Sequence, residues 1–143
     1  MKTRRPKRAF TLVELLITIS VIAIMASLVI TAFSNVAVDS RNILSRQQQA
    51  VVQEALNNWI SKMVSGTTGL AHARGAYNAA TTGLDKFALL QTYLDDQTYE
   101  HFIENTSAAK PNELMSDAMA KTGHYLQLTG WVQGSYPKVN LLP

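Results

Sequence analysis

Glu14 is the only charged side chain in the 24 residues from Phe10 to Phe33, FTLVELLITISVIAIMASLVITAF. A lone carboxylate in an apolar helix is costly to place in lipid, so it calls for a partner. A cut between Ala9 and Phe10 would supply one. The new α-amine of Phe10 would be a positive charge in the first turn of the same helix, one turn from Glu14. Offered to the Glu14 of a neighbouring copy, that amine would neutralise both charges as the helices bundle. Apolar packing would then hold the helices and the charge pair would set their register.

The elements that must position this pair are a basic leader and a long helix. At about 1.5 Å per residue, a helix over the apolar run reaches roughly 36 Å, enough to cross a hydrocarbon core of about 30 Å. Lys2, Arg4, Arg5, Lys7 and Arg8 precede it and favour a cytoplasmic N-terminus, with everything beyond the run outside. Two simpler readings compete. A secretory signal peptide also starts basic, and Ile30-Thr31-Ala32 imitates its cleavage site, but its apolar region is usually about 7–15 residues and a glutamate is out of place there. A plain single-span anchor fits the length and gives Glu14 no use.

The basic leader, the small residue Ala9 and the run Phe10-Thr11-Leu12-Val13-Glu14-Leu15-Leu16 resemble the processing signal of type IV pilins and type II secretion pseudopilins. The resemblance extends from Arg4 to about Val38. It implies that a membrane-embedded prepilin peptidase cuts after Ala9 and methylates Phe10, and that Glu14 serves subunit assembly. It also implies the partners: the peptidase, other pilin-like subunits, a membrane assembly platform and lipid. Glycine is commoner than alanine before the cut, and many members carry a proline partway along the helix. This chain has no proline between Pro6 and Pro111.

On this reading residues 1–9 are a cleaved leader, 10–38 a transmembrane or filament-core helix, and 39–143 an extracytoplasmic head on a single-pass protein of the cytoplasmic membrane. The expected function is structural: a pseudopilin or minor pilin of a type II secretion pseudopilus or type IV pilus-like filament. The alternative is a monomeric, membrane-anchored binding module that does not polymerise.

Composition supports no other class. The net charge of +3 comes from 13 basic and 10 acidic residues, and five of the basic ones lie in the leader. Without the leader the balance is −2, so no nucleic-acid partner is expected. There is no cysteine, hence no disulfide framework and no thiol chemistry. His72, His101 and His124 are dispersed, and no nucleophile or phosphate-binding motif is present. An enzyme, a cofactor or a metal centre is not expected. Asp95, Asp96, Glu100 and Glu104 lack a calcium-loop pattern and read as a solvated helix face.

The fold expected is α+β. No glycine or proline occurs from Ser34 to Val64, and Leu44, Val51, Val52, Ala55, Leu56, Trp59, Ile60 and Met63 recur at spacings of three and four. This predicts one helix from Phe10 to Val64, amphipathic in its second half, stopping at Ser65-Gly66. Arg41, Gln48, Glu54, Asn57, Asn58 and Ser61 should face water. Residues 66–83, rich in Gly, Ala and Thr, read as an extended connection. Leu84, Phe87, Leu90 and Leu94 predict a second helix, followed by a short one around Tyr99, Phe102 and Ile103. Pro111 should open a helix over Asn112–Ala120 that Gly123 ends. Tyr125–Thr129, Trp131–Gln133 and Val139–Leu141 predict two or three short antiparallel strands.

Overall fold

The computed structural model describes residues 10–66 and 69–143. Ala9 and the rest of the basic leader, with the expected cut, lie outside the described residues. The border between two compact units falls at Ala37 and Val38.

Helix α1 runs without interruption over Leu12–Ser65, 54 residues. Within the first unit its apolar side chains, from Leu12 to Val36, are all exposed. Five hydroxyls interrupt this surface, and four of them turn back on their own helix. Thr18, Ser20 and Thr31 donate to the carbonyls of Glu14, Leu16 and Ser27, four residues earlier, and Ser27 donates to Ile24 three residues earlier. Hydroxyls satisfied in this way need no water, so the surface suits an apolar surrounding.

The second unit is an α+β head built on the later turns of α1. Val52, Ala55, Leu56, Trp59 and Ile60 are buried there and Met63 is partly buried, as the periodicity requires. Two expected core residues are not in it: Leu44 and Val51 stay exposed, while Ser45 is fully buried. The core is offset round the helix because Gln49 and Gln53 hydrogen-bond to Val139, and Gln48, expected to face water, accepts from the Ser116 hydroxyl.

The stretch read as extended is a helix. α2 spans Gly69–Ala79, with Ala73 and Tyr77 fully buried one turn apart. Four alanines among its 11 residues supply helix propensity where large apolar residues are too few to show a period. Tyr77 donates to the carbonyl of Thr129 at 3.0 Å, and burial pushes its phenol pKa up from the ordinary value.

The segment expected to form one helix from Leu84 is broken. α3 covers Gly83–Ala88, a 3₁₀ turn follows at Gln91–Tyr93, and α4 covers Asp96–Asn105. Each helix start is chemically marked. Thr82 and Asp85 make a capping box at α3, and Asp95 accepts from the backbone N–H of Thr98 at 2.8 Å to open α4. Phe87, Leu90 and Phe102 are fully buried, with Phe87 stacked on Tyr99 at 5.4 Å between centroids.

α5 is Asp117–Thr122, later and shorter than Pro111 suggested. Ser116 caps it and Gly123 ends it in the left-handed conformation, φ 74°. Residues before it are taken by the sheet: Leu114 exchanges backbone hydrogen bonds with Leu126 at 3.0 and 2.7 Å.

Strands β1 (Tyr125–Leu128) and β2 (Val139–Leu142) pair antiparallel, Tyr125 opposite Leu142 and Leu128 opposite Val139. Trp131–Gln133 is not a strand. Asn78 of α2 holds both backbone groups of Trp131, donating to its carbonyl at 2.8 Å and accepting from its N–H at 3.0 Å. With those groups taken by a side chain, Trp131 has none left for a ladder.

Candidate functional site

The chemistry predicted from sequence lies at the start of α1. Phe10, the first described residue, is 80% exposed. Thr11 follows, then the first helical residue, Leu12.

The first four N–H groups of a helix have no partner within it, and the residue types at 11 and 14 supply one set. The Thr11 hydroxyl oxygen accepts from the backbone N–H of Glu14 at 3.2 Å. In return, one carboxylate oxygen of Glu14 accepts from the Thr11 N–H and from the Thr11 hydroxyl, both at 3.0 Å. This reciprocal pattern is a capping box.

The arrangement corrects one inference from sequence, that a single anchor gains nothing from Glu14. Here the carboxylate closes the first turn of its own helix and lies where the positive end of the helix dipole favours an anion. A capping-box signature, Thr followed three residues later by Glu before an apolar run, was present in the sequence and could have been read from it. The structure thus brings Glu14 to Thr11, the residue next to Phe10. Ala9 lies outside the described residues.

The other residues singled out for chemistry stay apart. His72 is exposed, His101 accepts through Nε2 from the backbone N–H of Asp117 at 3.3 Å, and His124 is half-buried. Among the described residues no three His, Asp or Glu side chains are grouped as metal ligands.

α1 holds a stretch long and apolar enough, by length and composition, to cross a membrane. Comparison with curated proteins and with solved structures gave no match. Residues 4–30 match a known family, the prokaryotic N-terminal methylation motif. Motif and helix together fit a single-pass, membrane-anchored protein. The chain carries, over residues 4–30, the prepilin-type signal of type IV pilins and pseudopilins, which supports a pilin-like substrate of a prepilin peptidase.

Proposed function

We propose that this chain is a structural subunit, a pseudopilin or minor pilin, that is cut between Ala9 and Phe10, methylated on Phe10, and assembled into an extracytoplasmic filament. The observation that carries the reading is the coincidence of the methylation motif over residues 4–30 with an exposed apolar helix that holds one carboxylate, Glu14, in its first turn. Before assembly the subunit is stored in the cytoplasmic membrane, N-terminus inside and head outside, as the leader charges favour. Lipid and a bundle of like helices are both apolar, so transfer between them changes hydrophobic free energy little and assembly can be reversible. During transfer Glu14 exchanges its Thr11 contacts for the amine of Phe10 on a neighbouring copy. A small head without cysteine favours a pseudopilin or minor pilin over a major adhesive pilin.

Mass spectrometry of the mature protein tests the processing. The expected N-terminus is Phe10 carrying one methyl group. A chain that keeps Met1 or its arginine-rich leader, or that starts near Phe33, overturns the reading.

The capping box favours a second reading, the monomeric anchored module, because it gives Glu14 a use within one chain. The Glu14→Gln experiment in the Discussion separates the two.

A further inference from the structure

Thr11 fixes where α1 begins, and the helix stops short of the proposed cut. Leu12 is the first helical residue, and Phe10 and Thr11 lie outside the helix. The Thr11 carbonyl accepts from the Leu15 N–H at 3.2 Å, the four-residue bond that opens the helix. Two backbone donors that a helix continued upstream would use are already spent. The Glu14 N–H would have to donate to the Phe10 carbonyl, but it donates to the Thr11 hydroxyl at 3.2 Å. The Thr11 N–H would have to donate to the Lys7 carbonyl, but it donates to the Glu14 carboxylate at 3.0 Å.

No other residue near the cut supplies a stop. Between Pro6 and Thr11 stand Lys7, Arg8, Ala9 and Phe10. None is a helix breaker, and alanine has the highest helix propensity of all. Pro6 itself suits a first helical position. A chain without the Thr11 cap is therefore free to start its helix near Pro6 and carry it through the cut. In such a helix the Ala9 carbonyl would accept from the Val13 N–H, four residues on. Hydrolysis adds water across the Ala9–Phe10 amide, the hydroxyl to the Ala9 carbonyl carbon and the proton to the Phe10 nitrogen. The attacking water must reach that carbon, which a helix keeps bonded through its oxygen and wrapped by side chains.

We infer that Thr11 is a positioning residue for prepilin processing: by capping α1 it keeps the Ala9–Phe10 bond upstream of the helix, so that the peptidase meets the bond unwound. The inference rests on the processing reading above and names a residue that governs the cut through backbone conformation rather than by flanking the bond. The methylation motif over residues 4–30 includes both Pro6, where an uncapped helix would start, and Thr11, which prevents it.

Two substitutions separate capping from recognition of the side chain. Valine has the shape of threonine without the hydroxyl, whereas asparagine differs in shape and caps at least as well. With the full-length precursor and a prepilin peptidase in detergent, Thr11→Val should lower kcat/KM at least fivefold. The loss should fall on KM, because a smaller fraction of the precursor is competent to bind. Thr11→Asn and Thr11→Ser should be cut like the unaltered chain. In the same micelles without peptidase, the carbon-13 shift of the Phe10 Cα should move towards the helical range in Thr11→Val and stay in place in Thr11→Asn. Normal cutting of Thr11→Val, slow cutting of Thr11→Asn, or slow cutting of Thr11→Val without the shift overturns the inference and leaves the processing reading intact. An unaltered precursor that is not cut between Ala9 and Phe10 overturns both.

Discussion

The Glu14 carboxylate and Thr11 hold each other at the start of α1, through 3.0 Å contacts from the Thr11 N–H and hydroxyl and a 3.2 Å contact from the Glu14 N–H to the hydroxyl. One side chain therefore has two claims on it: the cap of its own helix and the amine proposed to arrive from a neighbour. Replacement by alanine removes both. Glutamine keeps the shape and hydrogen bonding that a capping box accepts and removes only the charge.

Glu14→Gln is accordingly expected to leave membrane insertion unchanged, measured by resistance to alkaline extraction. It should reduce sedimentable filament at least tenfold. Normal filament yield from Glu14→Gln would assign Glu14 to capping alone and favour the monomeric anchor.

A pair of glycines should respond in opposite directions. A Cβ on Gly83 would lie 2.9 Å from both Asn112 Cα and the Pro111 carbonyl oxygen, backbone atoms that cannot step aside. Gly83 and Leu84 also donate to Asn112 Oδ1 and to that carbonyl at 2.7 and 2.8 Å, so the approach is part of the fold. Gly83→Ala should cost about 1–3 kcal/mol. Gly75 is inside α2 with nothing within 4 Å of its Cβ position, so Gly75→Ala should stabilise by about 0.5–1 kcal/mol. Urea unfolding of the two full-length variants in detergent checks both signs.

The edge of β2 is held by side chains of α1. Gln53 Oε1 accepts from the Val139 N–H, and Gln49 Nε2 donates to the Val139 carbonyl, both at 2.8 Å. Gln53→Ala leaves a buried N–H without a partner and should cost about 1–3 kcal/mol. The exposed Gln47 makes no such contact, and Gln47→Ala should change the unfolding midpoint little. Equal losses in the two variants would argue against the pinning.

Asp85 links stability to acid pH. Hydrogen bonds from the Thr82 hydroxyl and backbone N–H hold its carboxyl below the ordinary range. A group whose pKa is lowered on folding contributes stability above its unfolded value, here about 3.9, and loses it as pH falls through the folded value. Asp85→Asn has no proton to gain, so its Tm should fall less steeply than that of the unaltered chain as pH drops from about 5 towards 2. Parallel Tm profiles would dissociate Asp85 from the acid limb.

The sequence by itself determined what depends on long uniform runs and local chemistry. An unbroken apolar stretch with one carboxylate, the stop at Ser65-Gly66, the left-handed Gly123 and the strands at Tyr125 and Val139 were all readable, because each follows from hydropathy, φ preference or a period of two. Tertiary structure alone decided the rest of the head. Residues 69–79 became α2 only because Tyr77 and Ala73 found a core to enter; two buried positions in 11 are too sparse to show a period. Pro111 did not open α5 because Leu114 had a backbone partner in Leu126, and Trp131 left the sheet because Asn78 took both its main-chain groups. Gln48 read as solvent-facing until the Ser116 hydroxyl came within 2.7 Å, and Leu44 and Val51 read as core yet no described residue buries them. The physical reason is common to these cases: a polar or apolar side chain states what kind of neighbour it accepts, and only the folded chain states which neighbour is in reach.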